Sequence, residues 1–382
     1  MKVCFVLDRL NIGGAEAHAL DLADMLEAQG HEARILVLKK GGASNHPAVR
    51  PDHQIEKFEA GSVLFSDVVL SLGRSLRNSR TELVFAVNQT ALVAAMMARW
   101  LGLHEAKIIC LFHTTVISSL AGQVKLPLFK HFVRQSDGIV YVSRKQFDYW
   151  RQRGIKAPLE TAIPNGINTK LYHPPSSAER RQARAEWGFS ETDIVLLLCA
   201  RFAPEKNHAQ LVEALGRLVP QNDRYRLLLV GDGATRAEIE KQVQAAGLSD
   251  KVVFTGARKD VPSIVHAADA GVLVSNAVET FSLAALEVMA AGLPMVLSDI
   301  GGASEMVRHG ETGMLFPVDD TDRLVEALQV VADADLRRTM GLAAQSVVVR
   351  QFSSQVMLDR YLELLASLAE PEEGTALSGY GT

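Results

Sequence analysis

Cysteine is scarce and scattered. Three occur in 382 residues, Cys4, Cys110 and Cys199, each inside an apolar, strand-like run. An odd, dispersed set gives neither a disulfide framework nor the paired spacing of a zinc site. They read as small buried hydrophobes in a reducing compartment. Long apolar runs are missing too. The longest, Leu83 to Ala98, is broken by Asn88, Gln89 and Thr90, and is too short and polar to span a bilayer. No basic start leads into an apolar segment, so no secretory leader is expected and a cytoplasmic location is. No G-x-G-x-x-G follows the first strand, which argues against a dinucleotide-dependent dehydrogenase. No repeat of solenoid length is present.

What is present is alternation. Apolar runs of strand length recur between amphipathic stretches, beginning with Val3 to Leu7, a glycine turn at Gly13-Gly14, and a helix to Gln29. Such alternation predicts parallel sheets covered by helices on both faces. Asn165-Gly166 reads as a turn and Pro174-Pro175-Ser176-Ser177 as a linker. The expected fold class is therefore α/β, with two doubly wound, Rossmann-like domains facing a cleft. The expected boundaries are 1–170 and 171–353, then a last amphipathic helix over about 354–369. The acidic, then glycine- and serine-rich tail 370–382 is expected to be disordered.

Net charge is only −4, but it is uneven. Residues 1–165 carry 20 Lys and Arg against 15 Asp and Glu, or +5; the remainder carries 20 against 29, or −9. The basic half is too weakly basic for nucleic acid. It suits an anionic acceptor or an anionic membrane surface, or simply solvated faces.

The stretch Ser275 to Gly302 holds the sharpest chemistry. Glu279 and Glu287 are separated by seven residues, and helix formers run from Leu283 until Gly292 and Pro294 end the helix. A helix starting near Phe281 or Ser282 offers unpartnered amides to a phosphate. Eight residues of helix would span about 12 Å, the reach of a sugar diphosphate with its ribose. One acid could then hold a sugar hydroxyl and the other the ribose diol. The rival reading is a surface helix with two solvated glutamates. The apolar neighbours Leu283, Leu286, Val288 and Ala290 weigh against it, because a carboxylate among them needs a partner.

Glu279 to Glu287 resembles the E-x7-E signature of retaining glycosyltransferases of family four, which have the GT-B fold. Thr280 and Ser282 stand where that family often has glycine. Both are small, so amide access should survive, and their hydroxyls would add a hydrogen bond or narrow the choice of sugar. Arg201 to Lys206, directly after an apolar strand, resembles the family's R-x4-K. Two cations there offset charge on a departing diphosphate. Gly231-Asp232-Gly233 resembles its V-G-D-G-P, with Ala234 in place of proline. Asn165-Gly166-Ile167-Asn168 resembles the segment ending its first domain. The resemblance covers nearly the whole chain and is densest from Leu198 to Pro317.

The resemblance implies a set of roles. His113, at a strand end, would contact the transferred sugar; a structural capping histidine is the competing reading. Gly13 and Gly14 would lie against the diphosphate or the acceptor. Gly231, Thr280, Phe281, Ser282, Leu283 and Glu287 would bind the donor, and the loop with Arg258 would form the base pocket, mainly through main chain. His113, Arg201, Lys206 and Glu279 would form the catalytic set, and the last helix would cross back onto the first domain. Two D-x-D sequences have the form used by metal-dependent transferases. Asp320-Thr321-Asp322 reads as a helix N-cap and Asp333-Ala334-Asp335 belongs in or near a late helix, so no metal and no cofactor are expected.

The expected activity is transfer of a hexose from a nucleotide sugar, UDP- or GDP-linked, to a glycan, glycolipid or small-molecule acceptor. The setting would be bacterial cell-surface glycan or glycolipid synthesis, with peripheral contact at the inner membrane face through the first domain. A sugar-nucleotide epimerase, a glycosyl phosphorylase and a non-catalytic binding subunit are the alternatives.

Overall fold

A computed structural model of the chain describes residues 1–10, 13–40, 49, 53–60, 66–114, 120–277 and 279–369. Residues 11 and 12 beside the glycine turn, 41–48, 50–52, 61–65, 115–119, Val278 and the tail expected to be disordered lie outside them.

The first half contains β1 (Lys2–Leu7), α1 (Gly14–Ala28), β2 (Glu32–Lys39), β3 (Ile55–Ala60), α2 (Ser66–Asn78), β4 (Leu83–Val87) and α3 (Asn88–Trp100). It continues with β5 (Lys107–Phe112), α4 (Leu120–Gln135), β6 (Gly138–Tyr141), α5 (Arg144–Gln152) and β7 (Leu159–Ala162). The second half contains α6 (Ser177–Glu186), β8 (Ile194–Cys199), α7 (His208–Leu218), β9 (Tyr225–Val230), α8 (Arg236–Ala245), β10 (Val252–Gly256) and α9 (Val261–Val265). Then come β11 (Ala270–Leu273), α10 (Leu283–Ala290), β12 (Met295–Ser298), α11 (Ala303–Met306), β13 (Gly313–Phe316), α12 (Thr321–Ala332), α13 (Ala334–Gln351) and α14 (Ser354–Ala369).

Two all-parallel sheets result, ordered β3-β2-β1-β4-β5-β6-β7 and β10-β9-β8-β11-β12-β13. The expected fold class, two Rossmann-like domains, is the one observed. Strand β4 is apolar throughout, and β1 and β5 are apolar after their first residues, Lys2 and Lys107, because helices cover both faces. On one face of the first sheet Leu20 of α1 and Tyr361 and Leu365 of α14 pack with Phe5 and Phe85. On the other, Leu72 of α2, Ala95 of α3, Phe132 of α4 and Trp150 of α5 share a core with Ile108. The second sheet has one continuous core, from Leu196 of β8 to Val348 of α13.

Charge anchors the lead-in to β11. Asp269 is 3% exposed and accepts from Arg180 at 2.7 Å and Arg184 at 3.1 Å, with Arg337 at 3.4 Å. Its other oxygen contact is the amide of Val195 at 2.8 Å. This network fixes α6, α13, β8 and β11 together. Removing one partner of such a buried pair typically costs about 3–5 kcal/mol.

Candidate active site

In each sheet the strand order reverses beside the first strand, between β1 and β4 and between β8 and β11. Ligands of open α/β sheets gather beyond the carboxyl ends at such switch points. At the second, the chain leaves β8 through Arg201. Phe202 turns into the core and stacks on His208, with ring centroids 4.1 Å apart, leaving Arg201 outward and 67% exposed. The loop after β9 passes directly beneath. Gly231 has φ +137°, and a Cβ there would lie 2.1 Å from the Ala200 carbonyl oxygen, so only glycine fits.

Lys206 ends a short 3-10 turn and reaches back to the strand β11 side. Its Nζ lies 2.5 Å from Glu279 Oε2. The same carboxylate oxygen accepts from Ser275 Oγ at 3.0 Å, and the Ser275 carbonyl accepts from Ser298 Oγ at 2.6 Å. A cavity of about 10 Å³ behind Glu279 is lined by Ser275, Ser282 and Ser298, the lower limit for one water. Arg201 donates to Glu205 at 3.0 Å, and the Glu205 carbonyl accepts from the Asn276 amide at 3.0 Å, tying the two loops together.

The helix α10 begins at Leu283, slightly later than its sequence suggests, because Ser282 is its N-cap and accepts from the Ala285 amide at 3.2 Å. The first amides, from Leu283 onward, have no partner within the helix. Thr280 Oγ1 donates to the His113 carbonyl at 2.9 Å. Both hydroxyls expected to face the ligand are thus engaged in holding the turn and the neighbouring domain. Phe281 is buried, and its carbonyl accepts from Asn165 Nδ2 at 3.0 Å.

Glu287 occupies the second turn of α10. Burial pushes its carboxyl up to about 7; a hydrogen bond from Tyr172 opposes this, and Asp21 of α1 adds to it. Tyr172 is the partner that the apolar surroundings require. Burial and the charge of Glu287 also push the Cys199 thiol up to about 12.

The first domain meets this surface closely. A Cβ on Gly14 would stand 3.7 Å from Leu283 Cδ1, so the glycine turn packs against the start of α10. Gly13 is the extended N-cap of α1. Burial raises the Glu16 carboxyl; Asp8 raises it further, while Arg201 lowers it from across the cleft. His113 follows β5. Asn88, left-handed at φ +64°, accepts from the His113 amide at 2.9 Å. Burial and His18 hold the His113 ring well below its ordinary value, and its Nε2 has no hydrogen-bond partner among the described residues. The His18 ring lies edge-on at 5.0 Å and contacts the Tyr361 hydroxyl at 3.0 Å.

The structure therefore brings Gly14, His113, Lys206, Glu279, Thr280 and Leu283 together, with Arg201 and Glu287 on either side. Arg258 is not joined to them. Its guanidinium pairs with Asp260 and Glu186 and lies over the Trp187 ring at 5.4 Å. Asp320 caps α12, as its sequence suggests, and Asp333, expected in or near a late helix, caps α13. Among the described residues no group of three or more His, Cys, Asp or Glu could hold a metal ion.

Several contributors had escaped the sequence reading. Ser275 and Tyr172 were unassigned, and Asn165 was read as a turn in the segment ending the first domain, without a contact of its own. Glu305 was assigned no role, yet its carboxylate accepts from the Arg144 and Lys145 amides at 2.8 and 2.7 Å, joining α11 to the start of α5. Only Asn165, inside a motif, carried a signal.

Two Rossmann-like domains meeting over a cation–carboxylate cluster and a helix start define a GT-B nucleotide-sugar transferase. Residues 12–171 match the family described as Glycosyltransferase Family 4, and residues 179–347 match Glycosyl transferases group 1. N-acetyl-alpha-D-glucosaminyl L-malate synthase of Bacillus anthracis is 30% identical over 271 residues, 70% of each chain. The phosphatidyl-myo-inositol mannosyltransferase of Mycobacterium leprae is 26% identical over 94% of each. Anabaena HepE, solved in complex with UDP, superposes with a TM-score of 0.86 at 24% identity, covering 96% of this chain and all of that one. The chain belongs to glycosyltransferase family four and is a nucleotide-sugar-dependent glycosyltransferase.

Proposed function

We propose that the chain moves a hexose from a UDP- or GDP-linked donor to a glycan, glycolipid or small-molecule acceptor in bacterial cell-surface glycan or glycolipid synthesis. The observation that carries this reading is the Lys206–Glu279 contact beside the opening amides of α10. The diphosphate lies between Arg201, Lys206 and the amides from Leu283, with Gly13, Gly14 and Gly231 admitting it through bare backbone. Glu287 accepts from the ribose diol. Glu279 exchanges part of its bond with Lys206 for a hydroxyl of the sugar, and His113 bounds the sugar from the first domain. Thr280, Phe281 and Ser282 shape the turn. Arg258 serves the base pocket through its main chain, since its side chain is paired elsewhere.

In the transfer step the bond from the anomeric carbon to the β-phosphate oxygen breaks, and a bond to the acceptor oxygen forms. The acceptor proton passes to the departing phosphate. Lys206 and Arg201 stabilise the charge that gathers there. Attack on the face the diphosphate leaves retains the configuration, as the family resemblance implies. No helix among the described residues is long and apolar enough to cross a membrane; the enzyme works in the cytoplasm, touching the inner membrane face through its first domain. Calorimetry with UDP and GDP, followed by incubation of the preferred sugar nucleotide with candidate acceptors, tests this. Binding of neither nucleotide would overturn it, and sugar conversion without acceptor would favour an epimerase.

A further inference from the structure

Glu279 is gripped from two sides, and the two grips differ in kind. Both fall on one oxygen. Lys206 Nζ lies 2.5 Å from Oε2, and Ser275 Oγ donates to the same atom at 3.0 Å. Among the described residues no hydrogen bond reaches Oε1. The Glu279 side chain is 14% exposed and that of Lys206 21%, so neither can exchange its partner freely for bulk water.

Ser275 is the rigid member of the pair. It is 1% exposed and follows the end of β11 by two residues. Ser298, the buried last residue of β12, donates to its carbonyl at 2.6 Å, and β12 is paired with β11 through Leu273 and Leu297. The next amide, of Asn276, is tied to the Glu205 carbonyl at 3.0 Å. A serine hydroxyl has one proton to give, and Glu279 takes it. Lys206 differs. Its ammonium is a point charge with three donors on a flexible stem. It belongs to a separate loop, and a diphosphate offers it more negative charge than one carboxylate does.

The geometry points to Ser275 as a positioning residue of the transfer step: it holds Glu279 Oε2 while Lys206 turns to the diphosphate, so that Oε1 meets the sugar hydroxyl. This deepens the donor-site reading above and rests on it. Without Ser275, a carboxylate that gives up Lys206 keeps no partner on Oε2, and a partly buried carboxylate in that state turns to find one. Among the described residues Ser275 makes no hydrogen bond to Arg201, to Lys206 or to the amides of α10, so the grip on the diphosphate does not depend on it.

Nucleotide release from UDP-glucose, UDP-N-acetylglucosamine and GDP-mannose, with water as the acceptor, tests this beside calorimetry with UDP and GDP. Ser275→Ala should lower kcat about tenfold, the loss of one hydrogen bond to a charged group. Donor KM and the affinity for UDP or GDP should stay within about twofold, because the interaction lost is one the bound nucleotide does not use. Ser275→Thr keeps the donor, and the cavity of about 10 Å³ behind Glu279 can take its methyl, so most of the rate should return. An unchanged kcat in Ser275→Ala, or a loss matched by an equal loss of nucleotide affinity, would overturn the proposal. So would a threonine variant as slow as the alanine one. In each of these cases a wild-type enzyme that binds UDP or GDP leaves the donor-site reading standing, whereas binding of neither nucleotide would overturn both.

Discussion

Beyond β8 and β11, at the second sheet's switch point, Lys206 meets Glu279 and Arg201 points outward. Beyond β1 and β4, at the first, Asp8 is paired with Lys39 at 2.8 Å and two buried histidines are kept neutral: burial holds His18 and His113 below their ordinary values. One strand order thus supports two kinds of surface. The charged one suits a diphosphate, whose binding needs cations placed in advance. The neutral one suits a sugar and its acceptor, which gain from directed hydrogen bonds and exclusion of water.

The comparison breaks first at Lys206. Lys206→Ala should lower the transfer rate by about 10²–10³-fold, the cost of one preorganised charge; a near-normal rate would place the departing charge elsewhere. Next comes acid stability of the neutral side. His18 has its value lowered from 6.5 to about 4 by burial. The unfolded chain therefore takes up a proton first as pH falls. His18 contributes stability that is intact above about 6.5 and lost as pH falls through about 4, about 3 kcal/mol in all. Denaturant titrations at pH 7 and pH 4 should show a smaller difference in His18→Gln.

Glu287 gives the third test and the opposite sign. Its carboxyl titrates at about 7, so the folded state favours the proton and stability falls as pH rises from about 4.5 through 7. Nucleotide binding needs the carboxylate and should strengthen over the same rise. Glu287→Gln should weaken nucleoside diphosphate binding about tenfold at pH 8 and flatten its pH dependence in calorimetry, while raising the melting temperature at that pH. The smallest effect is at Glu305. Its loss in Glu305→Ala should loosen the contact between domains by about 0.3–1 kcal/mol, read as a raised KM for donor at little change in kcat.

Legibility divided along the same line. The second site was readable because its strands are short apolar runs, each followed at once by functional residues, as Arg201 follows β8 and the glutamate pair follows β11. The edge strand β3 was missed because Ile55-Glu56-Lys57-Phe58 has no fully buried residue and so no apolar run. β7, Leu159-Glu160-Thr161-Ala162, was missed because only Ala162 is buried and it too has no apolar run. Tyr172 was invisible as a partner of Glu287, because only the fold brings a linker tyrosine to α10. The roles read for Thr280 and Ser282 depended on where their hydroxyls turn, which spacing alone does not determine.

The grip of Glu305 on α5 is made to main-chain amides, not to side chains. Any residue but proline at positions 144 and 145 can supply it. The first domain is thereby free to change its surface without losing its seat on the second. Grafting the acceptor-facing loops of a relative onto this chain, with Glu305 and Ser143, the N-cap of α5, kept, is a direct route to hybrids that take a new acceptor with the original donor.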